Sequence, residues 1–393
     1  MQFRNVGASP PADEQCVIAS TERLIVAALS SRAAAIFVRE PFFDARYPRT
    51  SDADVLAFAD GDVLVPERMN LPPAEGTLPV DVIWLPRPLL AAAPALAGQG
   101  LVLHRLATSR LLHDADGMAA RQQAAVLAAM REPGAQAARV EGFFEMGFLA
   151  VREIGVTWDL PSFALFWLHM AAAATLAAGA DALGLFCPNV YTRPFDALRD
   201  VEAATGWRWR DRLVGALRLD ADPEEAAIAR LPALRDTVAR RFPVPDWPPA
   251  MRETTRAEYG YFRDADELAW RIAVAREMTA AGDTAAAMHY LRFWAYCLAR
   301  VPMVWEAAAA GRHVSFMRPE RAVGPALRRI CPEIIAPVDA ILAGDGIGRA
   351  DVEAALAVVM ALRADVLALL HDRGVRLADP KPWAPYRANA DAA

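Results

Sequence analysis

The stretch Ser51-Asp52-Ala53-Asp54-Val55-Leu56, continued by Ala57 and Phe58, decides how the first part of this chain reads. Asp54 to Phe58 (DVLAF) is a short apolar run of strand character. In a strand alternate side chains share a face, so Asp52 and Asp54 project together. A second run, Val80 to Leu85 (VDVIWL), follows a Pro-rich loop and carries Asp81. If it forms the neighbouring strand, Asp81 enters the same space. Three carboxylates within ~5 Å repel one another by about 3 kcal/mol per pair at an effective dielectric of ~20. Such a cluster asks for a cation, and Mg²⁺, held by carboxylates together with substrate phosphates, suits it. An Asp-x-Asp pair also occurs as a turn cap or solvated at a strand end, and that reading stays open beside the metal site.

Around this core the chain alternates. Ser20 to Ser30 (STERLIVAALS) has apolar residues at helical spacing, and Ala33 to Val38 (AAAIFV) favours a strand. Leu101 to Asp114 reads as a short helix leading into a last strand, with Asp116-Gly117 as a turn. Beyond about Arg131 strand signals nearly vanish. Ala/Leu-rich segments of helical spacing cover Gln136–Ile154, Pro161–Leu183, Pro194–Gly206, Asp266–Ala281, Asp283–Arg300 and Val352–Arg373. The expected fold is α+β: a small mixed-sheet domain over 1–130, a large all-helical domain over 131–377 and an irregular tail over 378–393. The proline-dense Phe242 to Pro249 (FPVPDWPP) is a linker or wrapping loop that can subdivide the helical part near 242–250.

Composition narrows the function classes. The 393 residues are 55% hydrophobic and 23% charged, which supplies a sizeable core. A net charge of −6 argues against coating nucleic acid, which needs basic stripes. Lys381 is the sole lysine and lies in the Pro-rich tail, so lysine-dependent chemistry is set aside. Cys16, Cys187, Cys297 and Cys331 are far apart and form no C-x-x-C, which fits a reducing cytoplasm. Met1 to Ser20 has no apolar signal-peptide region. Leu160 to Ala180 is uncharged and about as long as a bilayer span, but it is alanine-rich and flanked by Asp159 and Asp181, so a buried helix is expected rather than a membrane segment.

The order Ser51, Asp52, Asp54, then Asp81 on a later strand resembles the nucleotidyltransferases of the DNA polymerase beta superfamily, particularly the aminoglycoside and minimal nucleotidyltransferases. Their signature is Gly-Ser, nine residues, then Ser-Asp-x-Asp, with a third Asp further on. Leu101–Gly117 (LVLHRLATSRLLHDADG) looks like the element that closes the family's catalytic domain. Tyr191-Thr192-Arg193-Pro194 and Glu202–Gly206 are similar to stretches of helical extensions in such proteins. The resemblance covers about the first 120 residues. It implies that Asp52, Asp54 and Asp81 hold Mg²⁺ (or Mn²⁺), and that a nucleoside triphosphate such as ATP is co-substrate. It further implies that Ser51 lies near the nucleotide and that the acceptor is a hydroxyl of a small molecule. A general base would come from Asp81 or from Glu141 and Glu145, one helical turn apart, with Glu153 further along; ordinary exposed helix acids are the other reading of these glutamates.

The Gly-Ser position is occupied by Glu40-Pro41, which removes an N–H donor and adds negative charge where phosphates would lie. Arg39, Arg46 and Arg49 are close enough in sequence to supply phosphate contacts instead, or to form a solvated loop. A catalytically impaired binding or regulatory protein, a protein-modifying (AMPylating) member and a structural partner protein are the alternatives. No nucleic acid and no membrane are expected as partners, and a homodimer is allowed.

The remaining motifs carry less. His104, His113, His169, His289, His313 and His371 show no metal-ligand spacing, and His169 reads as a satisfied core histidine. Gly344-Asp345-Gly346-Ile347-Gly348 reads as a turn plus helix start, since no strand precedes it. Tyr290, Phe293, Trp294, Tyr296 and Trp305 occupy helical positions as core, with a part of the set able to line an acceptor pocket.

Overall fold

The computed structural model describes residues 11–39, 53–59, 67–71, 77–78, 80–92, 105–185, 187, 191–220, 224–248, 253–312, 323–343, 346–377 and 383. The chain divides into two compact units, Met1–Gln136 with Arg252–Ala257, and Ala137–Met251 with Glu258–Ala393. The fold is α+β, with the sheet in the first unit and the second built from helices.

The first unit opens with α1 (Pro11–Leu29) and β1 (Ala33–Arg39), then β2 (Ala53–Ala59), β3 (Glu67–Leu71) and β4 (Val80–Pro86). A short α2 (Arg87–Ala92), β5 (Ser109–Asp114) and α3 (Met118–Met130) follow. The five strands lie in the order β3-β4-β2-β1-β5. β2 runs parallel to β4, while β1 is antiparallel to both β2 and β5, and β3 is antiparallel to β4. One sheet face, formed by Ile36, Val38, Val55, Ala57, Val82 and Trp84, packs with Ile25 and Leu29 of α1. The alternate residues Phe37, Leu56, Phe58 and Leu85 are buried as well. Burial on both faces explains why these strands read as almost continuous apolar runs. At the C-terminal end of β5, Asp114 accepts from the backbone N–H groups of Ala119 and Ala120 and so caps α3.

The second unit contains α4 (Pro133–Val156, beginning just before the division), α5 (Pro161–Ala182), α6 (Pro194–Thr205), α7 (Arg210–Ala216) and α8 (Glu224–Arg241). These are followed by α9 (Glu253–Arg263, of which the residues up to Ala257 fall in the first unit), α10 (Ala265–Ala280), α11 (Thr284–Ala309), α12 (Val323–Ile330), α13 (Ile335–Leu342) and α14 (Arg349–Asp372). α5 is apolar on every side and long enough to cross a bilayer by length and composition, yet its whole apolar window is buried inside the protein. That is how an all-round apolar helix behaves at the centre of a helical core. Its alanines and Gly179 let α14 approach closely: a Cβ on Gly179 would sit 3.3 Å from a methyl of Val366.

Three differences from the sequence reading have physical causes. The segment expected to end at Arg300 continues through Pro302 to Ala309, because Val301 to Val304 are buried and packing outweighs the ~3 kcal/mol proline penalty. Glu67–Leu71 (ERMNL) is an edge strand without a β-branched or aromatic residue, so it carries no strand signal. Pro88, expected in a loop closing the preceding strand, instead opens α2, where its missing N–H costs nothing. The helix before the proline-dense stretch, α8, lies in the second unit, whereas α9 after it begins in residues assigned to the first. Tyr259 ties that stretch down by donating to the carbonyls of Phe242 and Pro243.

Candidate functional site

Two acidic residues are brought together in the sheet. β4 is the parallel neighbour of β2, and Asp81 stands in register with Asp54. Register partners on adjacent strands, about 4.8 Å apart, project to the same side. The parity of β2 and β4 puts both on the face opposite α1, alongside Leu56, Phe58 and Leu85. Asp81 is buried at 7% exposure, and Asp54 is half-buried. Arg39, at the end of β1, lies on the same face, and its Nη1 donates to Asp54 Oδ2 at 3.0 Å. The result is a charged row, Arg39–Asp54–Asp81, across three strands that are otherwise apolar.

The donor chemistry of this row fits a hard divalent cation: two carboxylates side by side are what Mg²⁺ uses when substrate phosphates complete its shell. Among the described residues no group of three His, Cys, Asp or Glu side chains converges. Ser51, Asp52, Arg46 and Arg49, and with them Glu40-Pro41, lie outside the described residues. Arg39, read in the sequence as a phosphate ligand, is engaged with Asp54.

The glutamates of α4 belong to the helical unit. Glu141 is half-buried and Glu145 is exposed. Glu153, two turns beyond Glu145, is the one that reaches a cavity. It is 7% exposed, and burial pushes its carboxyl pKa up, opposed by the positive charges of Arg152 and Arg300. That cavity has a volume of about 210 Å³, and α4, α5, α11 and Tyr191 wall it. Of the aromatic set noted in the sequence, Phe293 and Tyr296 line it. The others are structural: Trp294 packs on Tyr261 and Phe262, Trp305 on Phe242, and Tyr290 accepts from Arg271. Phe166 and Trp167, which the sequence reading absorbed into an apolar helix, complete the wall. Their only signal was an aromatic pair in an otherwise alanine-rich helix.

The resemblance stretches in the helical unit turn out to build helix ends. Pro194 opens α6, and Gly206 closes it in a left-handed conformation at φ 77°. Glu202 accepts from the backbone N–H groups of Trp209 and Arg210 at the start of α7. Asp283, capping α11, receives Arg199 at 2.9 Å and Arg210 at 2.6 Å. All four cysteines are free thiols.

No protein-family model matches the chain, and no curated protein matches it. Among solved structures, a nucleotidyltransferase-like protein from Exiguobacterium sibiricum 255-15 aligns over 91% of this chain and 78% of its own, at 9% identity. The TM-score of 0.23 is too low for that likeness to bear on fold or function.

Proposed function

We propose that the protein is a Mg²⁺-dependent nucleotidyltransferase that moves a nucleoside monophosphate from a triphosphate to a hydroxyl of a small molecule. The observation that carries this reading is the register of Asp54 with Asp81 on adjacent parallel strands, flanked by Arg39. It accords with the resemblance of Ser51-Asp52-x-Asp54 and Asp81 to that superfamily. Asp54 and Asp81, with Asp52 from sequence, would hold the ion. When bound, the ion supplies neutralisation of phosphate charge. Arg39 holds Asp54 in place and offsets part of the carboxylate repulsion. It also reaches the row, at 3.0 Å from Asp54, which makes it a candidate to meet a phosphate oxygen.

A second reading is a protein of this kind that binds nucleotide without turning it over. Glu40-Pro41, where the family pattern has Gly-Ser, favours it. One experiment separates the two. The full chain is titrated with Mg²⁺ and each of the four nucleoside triphosphates, thermal stability and pyrophosphate release being followed together over a panel of hydroxyl compounds. Metal-dependent stabilisation with pyrophosphate release supports the enzyme. Stabilisation without release supports the binding protein. No shift with any nucleotide overturns both.

A further inference from the structure

The cavity of the helical unit has the size and wall of a ligand site. Its volume of about 210 Å³ exceeds the roughly 150 Å³ that suffices to bind benzene in an engineered protein cavity. Met146, Leu149, Met170 and Phe293 contribute apolar surface, and Phe166 and Trp167 give it flat walls. The wall rings pack on one another: Phe166 stacks on Tyr296 at 4.2 Å between centroids and 16° between planes, and Trp167 meets the same ring edge-on at 5.3 Å. Three polar groups stand in this apolar surround. Glu153 is nearly buried and forms an ion pair with the half-exposed Arg152 at 3.6 Å. Trp167 Nε1 and Tyr296 Oη are buried and have no hydrogen-bond partner among the described residues. Unsatisfied buried polar atoms carry a desolvation penalty, so a wall that keeps them calls for something to face.

We propose that this cavity is a binding site for a neutral single-ring aromatic molecule bearing a hydroxyl, a phenol being the simplest member. The ring lies among Phe166, Trp167 and Phe293, and the hydroxyl donates to the Glu153 carboxylate. A neutral ligand is the one that none of the local charges repels. Arg152 and Arg300 both act on Glu153, so an ammonium group would enter against two guanidinium charges, and a carboxylate would enter against Glu153 itself. The raised pKa values of Glu153 and Tyr296, caused first by burial in each case, are consistent with a dry site where one donated hydrogen bond counts. The proposal needs only the helical unit and does not rest on the nucleotidyltransferase reading.

The test uses the full chain without nucleotide or metal. Phenol, toluene, benzylamine and benzoate are titrated separately to about 10 mM, with binding followed by calorimetry and ligand-observed NMR. Phenol is expected to bind saturably and more tightly than the other three. Leu149→Trp, at a half-buried position on the cavity wall, should abolish binding of phenol and toluene while the circular dichroism spectrum is kept. Glu153→Met should weaken phenol about tenfold and leave toluene unchanged, since only the acceptor is removed. Saturable binding that Leu149→Trp does not affect overturns the proposal. So does a preference for benzylamine or benzoate, equal loss of phenol and toluene in Glu153→Met, or no saturable phenol binding.

Discussion

His169 of α5 and His289 of α11, 120 residues apart, face each other Nδ1 to Nδ1 at 3.2 Å in the core of the helical unit. Their other ring nitrogens meet carbonyls, His169 Nε2 at Leu217 (3.2 Å) and His289 Nε2 at Tyr191 (2.9 Å). Three contacts each require one proton, whereas two neutral imidazoles carry two. The Leu217 carbonyl is also served by Arg292, whose Nη1 donates to it at 2.8 Å, so it is the contact best able to forgo the histidine proton.

Both histidines are expected to be neutral near pH 7, because both are buried. Burial pushes His169 well down, with Arg292 and His289 adding to it, and burial pushes His289 down to about 4, with Arg292 adding and the Tyr191 carbonyl opposing. A histidine pKa lower in the folded than in the unfolded chain gives stability that is present above about 6.5 and is lost as pH falls towards 4. Denaturant titrations should show unfolding free energy falling by on the order of a few kcal/mol across that window, the loss belonging to the pair. In His289→Gln the decline should shrink. A flat profile in the parent protein between pH 6.5 and 4 would count against the neutral pair.

Arg139 and Asp181 form a bidentate ion pair between α4 and α5, Nε to Oδ2 at 2.8 Å and Nη2 to Oδ1 at 3.0 Å, with both side chains almost fully buried. Removing one partner leaves a buried charge, so Arg139→Met should cost about 3–5 kcal/mol by chemical denaturation. The double variant Arg139→Met/Asp181→Leu should recover most of that loss, because two apolar side chains replace the pair without a stranded ion.

Asp54→Asn removes one of two adjacent carboxylates but weakens the contact of a partly exposed Arg39. These opposing effects should leave stability within about 1 kcal/mol of the parent. On the proposed function, metal-dependent pyrophosphate release should drop by at least about a hundredfold. Full turnover in this variant would place the chemistry elsewhere.

Trp383 is buried over Gly147, its Nε1 donating to the Phe144 carbonyl at 3.2 Å and Arg363 lying over its ring. A Cβ on Gly147 would fall 2.1 Å from Trp383 Cζ2, closer than any real contact. Gly147→Ala should therefore expel the indole and cost about 1–3 kcal/mol. In a Trp383→Ala background the same substitution should be nearly neutral, a coupling that a double-mutant cycle reads directly.

The local elements of this fold were largely legible because their signals are local. β1, β2 and β4 are dense in Val, Ile, Leu and Phe, and α5 is uncharged over a full helical length. β3 and α2, α3, α7, α8, α9, α12 and α13 were not picked out. β3 is held by pairing to β4 rather than by its composition, and α8 carries Pro232 inside it. In the charged row, the sequence showed which acids have strand parity on each run. It could not show that Arg39 would be spent on Asp54, because β1 and β2 meet only through their antiparallel register.

By itself the amino-acid order determined where strands give way to helices and which positions are apolar, since periodicity and propensity act within a few residues of one another. Only the tertiary structure decided that Asp81 stands beside Asp54, that two histidines meet ring to ring in the core, and that Glu153 rather than Glu141 or Glu145 reaches a cavity. Each of those facts depends on which elements pack together and in what register. Packing is settled by the total apolar surface buried, a sum over the whole chain that no local stretch contains.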